Sequence, residues 1–154
     1  MPRRPKIGDI IEFRVDDSLG YAQFSHWDDN LGHLLRVFPG IHSERPSDLQ
    51  ALADRDEQFY TFYLLGRGVR SGAVRIVGSA SIPNRAQPFP VLRSGGPMGG
   101  GIVAPWFLWD GTREWQAESL TDEVRVLSKK EIVGLPVIVE RVKTGWRPGD
   151  DTRE

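Results

Sequence analysis

The chain has 154 residues, 20 of them basic and 21 acidic, for a formal net charge of -1. That length fits one domain with a sizeable core, and the near-neutral charge disfavours a DNA-coating protein or a polybasic membrane binder. The absence of cysteine excludes a disulfide framework, a thiol nucleophile, a zinc finger and an iron–sulfur cluster, and fits a cytosolic protein.

The opening, MPRRPKIGDIIEFRV, starts basic like a signal peptide, but Asp9, Glu12 and Arg14 interrupt any apolar stretch. Residues 1–6 read as a flexible basic arm, 7–146 as a single domain and 147–154 as a flexible polar tail. Asp9 to Val15 is rich in β-branched and aromatic residues, as a first strand should be. Turn chemistry at Asp16-Asp17-Ser18 leads to a second strand, Leu19 to Trp27. Another turn, Asp28-Asp29-Asn30, precedes a third strand, Leu31 to Phe38, which completes an antiparallel meander.

Ser47 and Gln50 match a capping box, and Leu49, Leu52 and Ala53 follow at helical spacing, so a short helix is predicted over about 46–55. QFYTFYLL at 58–65 is apolar on both alternating faces, which predicts a central strand. A short strand, AVRIV, covers 73–77. Residues 79–104 read as a long Pro/Gly connection, either functional or poorly ordered. They contain most of the longest uncharged run, Ser94 to Trp109, whose GGPMGGG forbids a continuous membrane helix. WFLW at 106–109, an Asp110-Gly111 type I′ turn and a return strand over 113–117 form a hairpin. In the last segment, Val and Ile favour a strand, but Leu135, Ile138, Val139 and Val142 fall at helical period. With Pro136 in the first turn and Gly145 past the end, a helix over about 135–144 is predicted. The sum is an α+β fold: one domain, a curved and mostly antiparallel sheet or partly open barrel, and two short helices.

No residue pattern supports catalysis. His26, His33 and His42 show no metal-ligand spacing, although His26 and His33 are placed to approach each other from adjacent strands. The serines lie in neither GxSxG nor SxxK. The adjacent acids Asp16/Asp17, Asp28/Asp29 and Asp150/Asp151 read as turn formers, because acid/base chemistry needs two carboxyls across a cleft. The glycine tract at 95–101 lacks the Lys-Ser/Thr and the helix of a phosphate loop. No cofactor and no metal is expected.

The net charge hides a partition. Residues 1–6 carry +3, residues 7–57 carry -7, residues 58–108 hold five arginines and no acid, and residues 109–154 carry -2. Such an asymmetry either steers a charged partner or is neutralised when the segments interleave in space. Five tryptophans are many for this length, and Trp anchors both cores and protein interfaces.

The order of motifs resembles the immunity protein 26 family. GDIIEFRVDDSLGYAQF, with Gly8, Asp9, Gly20 and Tyr21, is similar to that family's opening hairpin. AVRIVGSASIP, with Ile76, Val77, Gly78, Ile82 and Pro83, resembles its strand and proline-bearing loop. PFPVLR at 88–93, WFLWDG at 106–111 and LPVIVERVKTGW at 135–146 resemble its later segments and closing helix. The resemblance implies a cytoplasmic, non-catalytic antidote of a bacterial polymorphic-toxin or contact-dependent inhibition system. Its partner would be a cognate toxin domain, with no membrane, cofactor or small molecule involved. Gly8, Gly78 and Gly111 read as backbone-geometry positions.

On this reading the exposed turn acids and an aromatic anchor, Asp16, Asp17, Trp27, Asp28 and Asp29, are the candidate partner contacts. The acidic meander suits a basic toxin such as a nuclease. Two other functions compete. Arginines among aromatics at 58–93 would suit a small β-rich nucleic-acid-binding module, a less favoured reading. A hydrolase would pair His26 or His33 with a carboxylate.

Overall fold

The computed structural model describes residues 3–99, 102–119 and 121–150. Its first half is the meander β1 (Asp9–Val15), β2 (Ser18–Asp28), β3 (Gly32–Val37) and β4 (Phe59–Tyr63), with α1 (Leu49–Ala53) on the crossover to β4. Helix α2 (Leu65–Ser71) and β5 (Arg75–Ser79) follow, and β5 pairs antiparallel with β1, so the sheet order is β4-β3-β2-β1-β5. A second sheet, in the order β6-β7-β8, comprises β6 (Leu92–Gly99), β7 (Ile102–Trp109) and β8 (Glu114–Gln116). Helices α3 (Asp122–Arg125) and α4 (Leu135–Thr144) complete the chain. The fold is α+β and mostly antiparallel, its sheets do not close, and it carries four short α-helices among the described residues instead of two.

The period of two along each strand sends alternate side chains to opposite faces, and both faces of the five-stranded sheet are covered. Ile11, Phe13, Ala22, Phe24, Leu35 and Val37 pack on one face against Leu65 and Val69 of α2 and Ile138 and Val142 of α4. On the other face Ile10, Tyr21 and Phe38 meet Leu52 and Ala53 of α1. Farther along that face Leu34, Tyr60 and Phe62 meet Leu92 and Trp109 of the second sheet.

That double coverage explains why QFYTFYLL is apolar on both faces, yet β4 is an edge strand and not a central one. Its outer edge is occupied by an irregular segment. Tyr60 N donates to Ser128 Oγ at 2.8 Å, Phe62 N to Glu131 O at 3.1 Å, and Val133 N to Phe62 O at 3.1 Å. The same segment bonds β6, with Arg93 N donating to Ser128 O at 2.9 Å and Lys130 N to Arg93 O at 2.8 Å. Residues 128–133 thus stitch the two sheets together and leave that edge without free donors.

Four further local expectations change. The strand predicted to reach Leu65 stops at Tyr63, and α2 begins there because Leu65, Gly68 and Val69 bury one helical face. A Cβ on Gly68 would collide with the Tyr63 hydroxyl, so that face admits only glycine. The cap of α1 is Asp48, whose carboxylate accepts from Ala51 N at 3.0 Å, while Gln50 bonds the Ser81 backbone instead of closing a box with Ser47. The second half of the Pro/Gly connection is strand: β6 and β7 pair through it, with register shifts beside Gly96 and Gly99, and Gly100 and Gly101 lie outside the described residues. Finally, Trp109 pairs with Glu114, so the turn between β7 and β8 has four residues and is not a type I′ pair. Asp110 Oδ1 organises it by accepting from Thr112 N and Arg113 N. Helix α4 matches its predicted span, with Pro136 in the first turn and Gly145 left-handed past the end. No described helix is long and apolar enough to cross a membrane.

Candidate functional site

The site is built from one buried carboxylate. Asp9, fully buried at the start of β1, accepts Arg3 Nη1 at 2.9 Å, Arg3 Nη2 at 2.7 Å and Lys6 N at 2.7 Å. This bidentate pair lays residues 3–7 across the end of β2 and β3. The remaining two residues of the basic arm, and the last four of the polar tail, lie outside the described residues.

Between that arm, the β2–β3 end and α2 lies a cleft of about 590 Å³. Its floor is aromatic. His33 meets the Phe24 ring edge-on at 4.8 Å and the Trp27 ring at 5.0 Å. Burial lowers the His33 pKa, which favours the neutral ring and an apolar floor. Trp27 stays 51% exposed, and its Nε1 donates to Asp29 Oδ1 at 3.0 Å, which fixes the ring's direction. The rim is basic. Arg3 is spent on Asp9, but Arg4, Lys6 and Arg70 also line the cleft and form no ion pair among the described residues.

Helix α2 is a ridge. On its far side a hollow of about 330 Å³ is lined by Leu64, Arg67 and Ile132. Leu64 is 49% and Ile132 47% exposed, and Ile7, at 56%, flanks Trp27 on the near side. One end of the sheet therefore presents large apolar side chains interleaved with cations. A larger cleft, of about 650 Å³, lies between β4 and residues 122–150. It mixes Glu57, Asp122 and Asp150 with Arg125 and Arg147 and so lacks a dominant sign of charge.

The candidate contacts separate. Trp27, Asp28 and Asp29 come together beside the cleft, whereas Asp16 and Asp17 lie at the opposite end of the eleven-residue β2, on the order of 30 Å away at the usual rise per residue. The acids are locally engaged. Asp28 Oδ2 accepts from Asn30 N and Leu31 N, Asp29 accepts from Trp27, and Asp16 Oδ2 faces Lys143 Nζ at 3.1 Å. The same holds along the -7 segment, where Asp9 pairs with Arg3, Glu12 with Arg45, Asp56 with Arg85 and Glu57 with Arg36. Interleaving offsets part of the acidic run: Arg3, Arg85 and Lys143 come from outside the segment and pair three of its acids, whereas the Glu12–Arg45 and Glu57–Arg36 pairs lie within it and leave its net charge unchanged. The cationic rim was signalled only by the +3 arm and the acid-free middle.

His26 and His33 do not converge. A bulge between Phe24 and His26 in β2 turns His26 to the other face, where its Nε2 bonds Gln87 O at 2.9 Å and its Nδ1 bonds Ser25 Oγ at 2.8 Å. Since only Nε2–H can donate to that carbonyl, the neutral ring is the Nε2–H tautomer. Among the described residues no group of three His, Asp or Glu is arranged to hold a metal ion. Comparison with protein-family models, curated proteins and solved structures finds no match to this chain.

Proposed function

We propose that this chain is a cytoplasmic immunity-type protein that binds a cognate bacterial toxin domain and neutralises it by contact, without catalysis or cofactor. The carrying observation is Trp27. It is a half-exposed indole on a ring-lined floor, held by Asp29, and it shares one end of the sheet with exposed Ile7, Leu64 and Ile132. Solvent normally disfavours such a set, and clustered apolar anchors among polar neighbours are the mark of a protein-binding surface.

The resemblance to the immunity protein 26 family adds support through residues that take structural roles here. Gly8 has a φ of +102° and Gly111 one of +93°, and Tyr21 donates to Glu12 Oε2 at 2.7 Å in the core of the opening hairpin. The competing nucleic-acid reading draws on the arginines of residues 58–108, but Arg93 is fully buried and Arg85 pairs with Asp56, which leaves Arg67, Arg70 and Arg75.

The test is growth rescue. The chain is co-expressed with each toxin domain encoded in an adjacent open reading frame. Rescue by the wild type, lost in a folded Trp27→Ala variant, supports the reading. Failure to rescue from every adjacent candidate overturns it.

A further inference from the structure

We infer that the ridge of α2 and its two flanking hollows dock an acidic, apolar-anchored segment of the partner protein. The inference rests on the protein-binding reading above and specifies its chemistry. It also replaces the expectation of a basic partner met by the acidic meander.

Three observations select this occupant. The first is sign. Arg4, Lys6, Arg67 and Arg70 lie on the arm and on α2 without an ion pair among the described residues, and the neighbouring Asp9 is neutralised by Arg3. Asp28 and Asp29, held by neutral N–H donors, keep their charge beside Trp27, but the four cations outnumber these two carboxylates. Opposite charge on the incoming segment is what such a surface attracts. The second is apolar content on both sides of the cations. Trp27 and Ile7 border one hollow, and Leu64 and Ile132 border the other, so an occupant that fills both must carry apolar side chains either side of its carboxylates. The third is extent. The two hollows share α2, with Gly66 and Arg70 facing one and Arg67 and Gly68 the other, so a continuous segment crosses the helix instead of ending in a single pocket. A small anion would use the cations and leave Leu64 and Ile132 in water. A nucleic acid strand would use Trp27 and the cations but gains nothing from the aliphatic hollow.

The test measures fluorescence anisotropy of three labelled probes with the full chain. They are a short peptide alternating Glu with Leu and Phe, the same peptide with Lys for Glu, and oligothymidylate. Each is titrated at about 50 and about 300 mM NaCl, a range over which screening shortens from above to below about 10 Å. The expected result is preferential binding of the acidic peptide, weakened about tenfold or more by added salt, by Arg67→Glu/Arg70→Glu and by Trp27→Ala. Thermal melting of each variant checks that it is folded, as the exposure of all three side chains predicts. The inference is overturned if the acidic peptide does not bind, if the basic peptide binds equally well, if oligothymidylate binds more tightly, or if the folded variants bind like the wild type. Growth rescue is a separate readout. Rescue that survives the double charge reversal defeats this inference while leaving the proposed function standing, and acidic-peptide binding without rescue does the reverse.

Discussion

Gln23 and Arg36 stand directly opposite each other on β2 and β3, and Arg36 Nη1 donates to Gln23 Oε1 at 2.6 Å inside the fold. The guanidinium is wholly buried and each of its three nitrogens donates a hydrogen bond. Its Nη1 also reaches Ala53 O, its Nη2 reaches Arg55 O, and its Nε reaches Glu57 Oε2 at 3.1 Å. It therefore holds the chain from the end of α1 to the start of β4. Removing it takes the donor from the Gln23 amide oxygen, two backbone carbonyls and a carboxylate at once. Arg36→Met should cost about 3–5 kcal/mol in urea unfolding, because each buried acceptor left unpaired costs about 1–3 kcal/mol while the partly exposed Glu57 carboxylate can turn to water. A cost below about 1 kcal/mol would show that residues 53–57 are held by other means.

Two glycines in the resembling motifs separate by what surrounds them. A Cβ on Gly20 would lie 2.5 Å from Phe13 Cε2 and 2.8 Å from Cζ, atoms of a ring fixed in the core. A Cβ on Gly78 would lie 2.6 Å from Leu49 Cδ1, the free end of a side chain that can swing away. Gly20→Ala should destabilise by about 1–3 kcal/mol through overpacking. Gly78→Ala should stay within about 1 kcal/mol of wild type, because its clash relaxes by one rotamer change. Parallel denaturant midpoints decide the order, and equal costs would refute this account of Gly20.

Much of the fold is legible where local pattern and tertiary role agree. Strand β1 and helix α4 carry their periods openly, and α4 adds a proline start and a glycine stop. Helix α2 is hidden because LGRGVRS holds two glycines, poor helix formers, and its need for Gly68 arises from the Tyr63 hydroxyl, a contact between elements. Strand β6 is hidden for the same kind of reason, since a run of glycines pairs only because β7 lies beside it. In the site, Trp27 stands out by residue type. Arg4, Lys6, Arg67 and Arg70 do not, because which cations stay unpaired is decided by Asp9, Glu12 and Glu57 taking Arg3, Arg45 and Arg36.

Asp16 is the one described non-glycine residue at positive φ, at +56°, in the two-residue loop between Val15 and Ser18. A left-handed backbone is tolerable for Asp, free for Gly and strained for Ala. Its ion pair with Lys143 is exposed and contributes little. Asp16→Ala should therefore unfold more easily than Asp16→Gly by about 1 kcal/mol. Both variants should rescue growth like the wild type, because this turn lies at the far end of β2 from Trp27. Loss of rescue in a stable Asp16→Gly chain would move the partner surface to the opposite end of the sheet.

His26 sets an acid sensitivity whose sign is determined by burial. Burial lowers its pKa below the ordinary value of 6.5, against the smaller opposing effect of its bond to Gln87 O. Well above pH 6.5 the ring is neutral in both folded and unfolded chains, so stability is independent of this group. As pH falls below 6.5 the unfolded chain takes up the proton first, and stability declines until the folded ring also titrates at its lower value. His33 and His42 shift in the same direction, also by burial, so the decline is shared among the three histidines. His26 is the most enclosed of them. Urea midpoints measured from about pH 7.5 to about pH 5 should fall for the wild type, and His26→Gln should flatten that fall more than the same change at His33 or His42. A wild-type midpoint that rises toward pH 5 would place the folded ring in its charged form, and an unchanged slope in His26→Gln would leave its pKa unshifted by folding; either result contradicts its burial against Phe89 and the Gln87 carbonyl.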